Sequence, residues 1–256
     1  MLLRSGILTA SDGEVVAVEN PTAASGLVFV CEHASAVLPP SAGDLGLSPE
    51  ALSSHIAWDP GALEIARRLS ASLDGLLVHQ RFSRLIYDCN RPPDSPAAMP
   101  EKSEIYEIPE NLNLSPAERY ARTAAFYIPF HDRIAGEIAR IVGAGGKPVI
   151  VTVHTFTPVY FGKPRQVEIG ILHDTDSRLA DAMLETAAGG SYRVERNSPY
   201  GPEDGVTHTL RLHALPQGFA NVMIEVRNDL VRDEAGIKAI SAYLADLISA
   251  ALQRVA

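Results

Sequence analysis

Cysteine is scarce in this sequence, with two residues in 256, Cys31 and Cys89. Each ends an apolar run, VFVC or LIYDC, of the kind that forms a buried strand. Two cysteines without a secretion signal are weak evidence for a disulfide, and free cysteine is among the most buried residue types. We therefore predict two buried free thiols.

Basic residues are outnumbered and dispersed. The 22 lysines and arginines against 31 aspartates and glutamates give a net charge of −9 at pH 7. No block of basic residues occurs that could supply the phosphate contacts on which nucleic-acid affinity depends. We expect no nucleic-acid partner.

Long hydrophobic runs are also missing. Residues 1–10 hold one arginine and a short apolar stretch at 6–10, without the length or cleavage pattern of a signal peptide. No window resembles the roughly 18 apolar residues that cross a bilayer. The expectation is a cytoplasmic protein that does not associate with membranes.

Two common catalytic signatures are absent. The sequence contains neither a GxSxG elbow nor a Walker A loop. Serine hydrolase and nucleotide-phosphate chemistry therefore lack their usual marks here.

What is present is the pattern of an ordinary globular protein, 46% hydrophobic and 21% charged, of a length that fits one domain over residues 1–256. Short β-branched runs alternate with longer stretches of helical period, which predicts an α/β protein with a mainly parallel mixed sheet between two helical layers. The predicted strands are 26–31, 76–80, 84–89, 148–153, 167–172 and 221–226, with a weaker edge strand at 192–195. The predicted helices are 60–73, 115–142, 177–188 and 234–255, the second of which can break near Pro129.

Two segments show neither the helical nor the strand pattern of apolar residues. Residues 92–113 are rich in proline and mixed in charge, and they are long for a loop within a compact domain. Such a loop is either an active-site lid or a surface loop. Residues 197–209, NSPYGPEDGVTHT, have the same character.

Polar residues follow the apolar strands at their carboxyl ends, the edge at which open α/β sheets bind ligands. His33 follows one predicted strand and His154 another. A single histidine at such a place is usually structural, but two at equivalent positions favour a metal site. Catalytic zinc takes three nitrogen or carboxylate ligands and leaves a position open for water, and two histidines with a carboxylate are a standard set.

The third ligand has two candidates. Asp59, in HIAWDPG, offers a carboxylate at a predicted helix start, although an aspartate before proline is also a favoured N-cap. Glu32 neighbours His33, but adjacent side chains of an extended strand point to opposite faces. Both would reach one ion only if the strand had already bent.

Glu225 closes the apolar strand ANVMIEV, where a carboxylate is costly unless it is paired or bound. One interpretation is an ion pair with Arg227, two residues on and on the same face. The other is a general base that takes the proton of a water molecule activated by the metal.

Arginines near the strand ends suit a substrate carboxylate. Arg91 and Arg84 carry guanidinium forks that match a carboxylate, although most arginines are solvated or paired with a surface acid. His208 follows the glycine-rich stretch GPEDGVT, from which a loop residue could reach the site.

Five motifs in this order resemble the N-formylglutamate amidohydrolase family along nearly the whole chain: CEHAS at 31–35, HIAWDPGA at 55–62, RFSRLIYDCNRP at 81–92, VTVHTFTP at 151–158 and IEVRND at 224–229. The family is similar in fold to the zinc carboxypeptidases, of phosphorylase/hydrolase type. The resemblance implies zinc ligands at His33 and His154, substrate-carboxylate binding by the pair Asn90 and Arg91, and a base at Glu225.

The sequence departs from the carboxypeptidases at one point. Their His-x-x-Glu ligand pair is missing, because Ala36 stands three residues after His33. The third ligand therefore stays open between Asp59 and Glu32.

The resulting hypothesis is a hydrolase that cleaves a linear amide of a small N-formyl or N-acyl amino acid, using one divalent ion, with zinc as the expected metal. Glu225 is the expected base, and Arg91, with Asn90, Arg84, Arg227 or His208, is expected to bind the substrate carboxylate. The alternatives are a metal-free carboxylate-binding protein on the same scaffold and a peptidase with the same metal chemistry.

Overall fold

The computed structural model describes residues 6–255 and is built on one seven-stranded sheet. Its strands are β1 (Val16–Glu19), β2 (Leu27–Cys31), β3 (Leu76–Gln80), β4 (Val149–Phe156), β5 (Ile169–Leu172), β6 (Val194–Arg196) and β7 (Asn221–Arg227). Their order is β1-β3-β2-β4-β7-β5-β6. The four central strands β3, β2, β4 and β7 are parallel, whereas β1 and β5 pair antiparallel to their inner neighbours. The predicted α/β class with a mainly parallel mixed sheet is confirmed.

Helices cover both faces of the sheet. They are α1 (Pro49–Ser53), α2 (Ala62–Ser72), α3 (Pro116–Arg122), α4 (Ile128–Gly143), α5 (Arg178–Ala187), α6 (His208–His213) and α7 (Glu234–Val255). Successive side chains of β2 point to opposite faces of the sheet and so enter two different core clusters. Val28 and Val30 pack toward α4 and α6, while Leu27 and Phe29 pack toward α2, α5 and α7. Because both faces are covered, β2 is apolar at every position, as central parallel strands are.

The helix from α3 to α4 is continuous. Ser115 caps it, with Pro116 in its first turn: the Ser115 hydroxyl accepts from the backbone N–H of Glu118, and the Glu118 carboxylate accepts from that of Ser115, as the capping box predicts. The expected break at Pro129 is wrong, because a π-helical turn, Thr123–Tyr127, comes directly before it. That turn shifts the backbone bonding from i−4 to i−5 where proline would otherwise interrupt it.

One predicted strand does not form. Residues 84–89 are a buried loop, in which Ile86 N–H donates to the carbonyl of Ser83 in a turn and Asp88 N–H donates to the carbonyl of Ala98. A short apolar run does not by itself distinguish a strand from a buried loop. The edge strand β1 and the short helices α1 and α6 were not predicted. The weaker edge strand predicted at 192–195 corresponds to β6, at Val194–Arg196.

Among residues 6–255, α7 is the one helix that is long and apolar enough to cross a membrane by length and composition. The expectation that no window reaches this limit is therefore wrong. One face of α7 packs against α2 and α5 through Ile240, Leu244 and Leu247, as in a helix that lies on a sheet. Both cysteines are buried free thiols, as predicted.

Candidate metal centre and active-site cleft

Three parallel strands bring polar side chains to one edge of the sheet. Glu32 and His33 directly follow β2, His154 lies near the carboxyl end of β4, and Glu225 lies on the neighbouring β7. In the register of β4 and β7, Glu225 is paired with His154. All four side chains are almost completely buried.

Three donor atoms converge at this edge. The Nδ1 atoms of His33 and His154 lie 3.2 Å apart, and one oxygen of Asp59, Oδ2, lies 3.3 Å from the first and 3.0 Å from the second. Ligands about 2.0–2.1 Å from a tetrahedral zinc are separated by about 3.3–3.4 Å. The three atoms therefore have the spacing of a metal-binding set, and the group could hold a metal ion.

The outer nitrogens of both imidazoles face carboxylates. Nε2 of His33 lies 2.7 Å from Oδ1 of Asp88, and Nε2 of His154 lies 3.2 Å from Oε2 of Glu32, although outside regular hydrogen-bond angles. A carboxylate can only accept, so it favours the proton on Nε2 and leaves the Nδ1 lone pair directed at the centre. Carboxylates behind metal-binding histidines play this part in many sites.

Asp59 belongs to the centre rather than to the helix cap. Gly61 is the N-cap of α2, while Asp59 Oδ2 accepts a hydrogen bond from the backbone of Thr155, and the Asp59 backbone donates to the carbonyl of His33. Burial alone would raise the pKa of Asp59, but the charge of His33 and the contacts of Oδ2 with both histidines hold it well below its usual range.

Glu32 lies behind His154 and not beside Asp59. Its other oxygen, Oε1, accepts from the Thr209 hydroxyl at 2.5 Å. Burial would raise the pKa of Glu32, yet the charge of His154 and its contact outweigh that effect and lower it to about 2. The same pair of carboxylates, Glu32 and Asp59, overcomes burial and raises the pKa of His154 well above its usual range. The centre therefore favours positive charge, which a proton or a metal cation can supply.

Glu225 is a buried carboxyl group on β7. It is 3% exposed, and its Oε2 has no hydrogen bond among the described residues. Burial raises the pKa of Glu225 to about 7; the charge of His154 opposes this rise, and the negative charge of Asp59 adds to it. A carboxyl group with this pKa can both take and return a proton near neutral pH.

A cleft of about 500 Å³ opens over these residues. His33, Asp59, His154 and Glu225 line its floor. Its walls include Arg84, Asn90, Arg91, Ser103, Glu104, Tyr160, Arg165, Tyr200 and Asp204.

The predicted arginines have different surroundings in the cleft. Arg84 forms ion pairs with Asp88 at 2.6 Å and with Asp59 at 3.4 Å, so its charge is already matched. Arg91 donates from Nη1 to the carbonyls of Asn90 and Gly205 and forms no ion pair with a carboxylate among residues 6–255. Of these two, Arg91 is the one with charge left for a ligand.

Asn90 holds the cleft wall together. Its amide nitrogen donates to the carbonyl of Val206 at 2.5 Å, and its amide oxygen accepts from the backbone of Thr209 at 3.1 Å. It thereby ties the segment 205–209 to the buried loop that carries Asp88 and Arg91.

Two of the candidate substrate-binding residues lie outside the cleft. Arg227 forms ion pairs with Asp229 at 2.7 Å and Glu168 at 3.6 Å rather than with Glu225, and it does not line the cleft. Nε2 of His208 lies 2.8 Å from the hydroxyl of Tyr127, and His208 is not among the residues that line the cleft. The structure therefore places Arg227 and His208 outside the lining of the cleft.

The long loop 92–113 reaches the cleft through Ser103 and Glu104. The Glu104 carboxylate lies 3.0 Å from Nε2 of His55 and accepts from the backbone of Phe161 at 3.1 Å. The loop is thus attached to two other walls of the cleft.

Sequence reasoning missed Asp88, Arg165 and Tyr200. Asp88 had a signal, an acidic residue inside the apolar run LIYDC, which is costly unless it is bound. Arg165 and Tyr200 lie in segments without period, where no pattern indicates which side chain turns inward.

Comparisons with known proteins identify the family and the fold. The sequence model of the N-formylglutamate amidohydrolase family matches residues 25–232. The gene product Atu2144 of Agrobacterium tumefaciens, a solved structure, is 61% identical over 97% of this chain and 99% of that chain, with a TM-score of 0.96. An N-formylglutamate amidohydrolase from Ralstonia eutropha JMP134 is 18% identical over 94% of this chain and 98% of that chain, with a TM-score of 0.67, a likeness that shows the fold. Among curated proteins, none is significantly similar to this chain.

Proposed function

This chain belongs to the N-formylglutamate amidohydrolase family, and we propose that it is a metal-dependent hydrolase that cleaves the linear amide of a small N-formyl or N-acyl amino acid. The metal ligands are His33, His154 and Asp59, and Glu225 is the catalytic base. Zinc is the proposed metal, because two imidazoles with one carboxylate are a standard set for catalytic zinc.

One observation carries the proposal. Three buried donor atoms face a single point at 3.0–3.3 Å from one another, and a buried carboxyl without a hydrogen-bond partner for one oxygen lies on the next strand. A structural cluster of two histidines and an aspartate has no need of that costly fourth group. A hydrolytic site does need it, since water must lose a proton as it attacks.

The proposed reaction uses the three metal ligands and Glu225. His33, His154 and Asp59 would hold a divalent ion, which would supply a Lewis acid to polarise the amide carbonyl and to make a nearby water molecule more acidic. Glu225 accepts a proton from the water whose oxygen bonds to the carbonyl carbon. As the carbon–nitrogen bond breaks, Glu225 returns the proton to the leaving nitrogen, so the products are an acid and an amine.

The substrate is held by its carboxylate. Arg91 lines the cleft and retains N–H groups without a carboxylate partner among residues 6–255. Asn90 supports this wall, and Arg84 orients Asp59 and Asp88 through its two ion pairs. The loop 92–113 covers one side of the bound substrate.

We also propose a single domain over residues 1–256, because one sheet carries every ligand. The two free thiols suit a reducing compartment, and the proposed location is the cytoplasm.

The test is hydrolysis by metal-stripped and zinc-loaded protein of N-formyl-L-glutamate and a panel of N-acyl amino acids. Turnover by the loaded form alone, and its loss in Glu225→Gln but not in the exposed control Glu50→Gln, is the expected result. Equal turnover by stripped and loaded protein would contradict a metal-dependent mechanism, and no turnover on the whole panel would contradict the substrate class.

A further inference from the structure

Two β-hairpins meet at one side of the cleft. The first spans residues 102–107 and the second residues 159–164, and each turns through a two-residue loop. The carboxylate of Glu104, in the first loop, accepts a hydrogen bond from the backbone N–H of Phe161, in the second, at 3.1 Å. Because Glu104 and Tyr160 line the cleft, both hairpins belong to its wall.

Each loop begins with a residue that the turn does not favour. The φ angle is +50° at Glu104 and +47° at Phe161, in the left-handed region where glycine, asparagine and aspartate are the usual residues. Gly162 follows with φ +74°, so both loop residues of the second hairpin have positive φ, and Asn-Gly is the preferred sequence for such a loop. Strain of this kind persists mainly at functional sites. The turn alone therefore does not account for a phenylalanine at position 161.

The two loops also expose apolar side chains beside the cleft. Ile105, which follows Glu104, is 66% exposed, and Phe161 is 58% exposed. The Phe161 ring lies edge-on to that of Tyr160, with 4.6 Å between the centroids, and the guanidinium of Arg165 lies 4.4 Å from the Tyr160 ring. Ile105, Tyr160 and Phe161, the apolar rim, thus continue the cleft wall outward. Exposed apolar surface that continues a cleft is typical of a ligand-binding groove.

The acyl group is the apolar part of the proposed substrate. Its carboxylate belongs to Arg91, which is tied to Gly205, and its amide belongs over the metal ligands on the floor. The apolar rim lies on neither of these, but on the two hairpins. The acyl chain is therefore the substrate part that matches the rim in chemistry.

We propose that the apolar rim binds the acyl group of the substrate, so that affinity rises with the length of an apolar acyl chain. Each methylene group that the rim removes from water should strengthen binding by up to about fourfold. This inference rests on the proposed function for the amide that is cleaved, but the binding of the chain can be measured without cleavage.

The test is calorimetric titration of Glu225→Gln protein, with and without zinc, with N-butyryl-, N-hexanoyl- and N-octanoyl-L-glutamate. Affinity should rise about tenfold or more from the butyryl to the octanoyl compound. Added to Glu225→Gln, Phe161→Asn and Ile105→Ser should each reduce this gain. Tyr120→Ser, which removes an aromatic side chain that is 67% exposed on α3, should leave it unchanged.

Phe161→Asn also separates binding from folding. It supplies the residue that the loop prefers, so the variant should melt at the same temperature as its parent or higher, and a lost gain cannot then come from unfolding. The inference is overturned by equal affinity for the three compounds, or by a gain that survives undiminished in folded Phe161→Asn or Ile105→Ser. A dimer of the unaltered chain that Phe161→Asn abolishes, with an undiminished gain, would assign the rim to a second copy of the chain instead.

Hydrolysis gives an independent reading of the same rim. In the unaltered enzyme, kcat/KM should rise along the three compounds, because binding energy from the chain also stabilises the transition state. A kcat/KM that falls with chain length would contradict the role of the rim. Binding that strengthens with chain length, without hydrolysis by the unaltered enzyme, would refute the proposed function while leaving that role intact.

Discussion

The Nδ1 atoms of His33 and His154 face each other at 3.2 Å inside the protein. With a proton on each Nε2, both lone pairs point to the place that Oδ2 of Asp59 also faces. Unless a proton lies between them, three acceptors at this separation repel one another in a buried site, where such repulsion is stronger than in water. A cation between them removes that cost, so metal binding and folding stability are coupled in this account.

The two candidate third ligands can be separated by their metal affinities. Asp59→Asn removes a direct ligand and should leave little zinc bound after dialysis. Glu32→Gln alters only the group behind His154, for which a loss of about 10- to 100-fold in affinity is typical. Competition with a chromogenic chelator measures the zinc affinity of both variants. A greater loss of affinity in Glu32→Gln than in Asp59→Asn would show that Glu32, and not Asp59, is the third ligand.

Glu225→Gln should abolish turnover while the metal stays bound. Losing a general base costs about 10²- to 10⁴-fold in rate. Because the glutamine side chain is neutral, the variant avoids the burial of an unpartnered carboxylate charge, and it should melt at the same temperature as the unaltered protein or higher. Full activity in this variant would remove Glu225 from the mechanism.

Arg91→Ala should lower kcat/KM for acidic substrates far more than for neutral amides. A hydrogen bond to a charged group contributes about 1.5–3 kcal/mol, so kcat/KM for an N-acyl amino acid should fall about 10- to 100-fold or more. The comparison substrate is the corresponding N-acyl amine without a carboxylate. An equal loss on both would show that Arg91 does not bind the carboxylate.

Stability should fall in mild acid through His131 and His213, whose rings meet at 2.8 Å in the core. Burial first, and then each other's proximity or that of His208, lower their pKa values to about 3 and about 4. The unfolded chain binds these protons near pH 6.5, so stability is complete above that pH and is lost as the pH falls toward 4 and 3.

Urea unfolding of metal-free protein at pH 7 and pH 5 measures this effect. The loss of stability between the two pH values should be smaller in His131→Gln than in the unaltered protein. His173→Gln, a histidine outside this cluster, serves as the control. An unchanged pH dependence in His131→Gln would show that His131 is not the group that titrates.

The parts of the site that could be predicted from sequence are those governed by strand direction. His33, His154 and Glu225 each follow or close a strand of strong apolar pattern, and the carboxyl ends of parallel strands share one edge. Their convergence needs no knowledge of loops.

The remaining parts depend on loops and turns, which periodicity does not describe. Asp59 before Pro60 has the sequence of an N-cap, and only the tertiary position of α2 directs its carboxylate to the histidines. Residues 84–89 have the composition of a strand, so the bend that aims Asp88 at His33 was not foreseen. Arg227 does share a face with Glu225 by spacing, but Glu168 and Asp229 capture it at the strand end.

The most direct test is the metal content of the purified protein by elemental analysis, for the unaltered chain, His33→Ala and His154→Ala, with His173→Ala as the control. The account predicts about one zinc per chain after incubation with zinc, lost in the first two variants and kept in the control. No bound metal in the unaltered chain, or an equal content in His33→Ala and His154→Ala, would contradict the metal centre and with it the proposed hydrolysis.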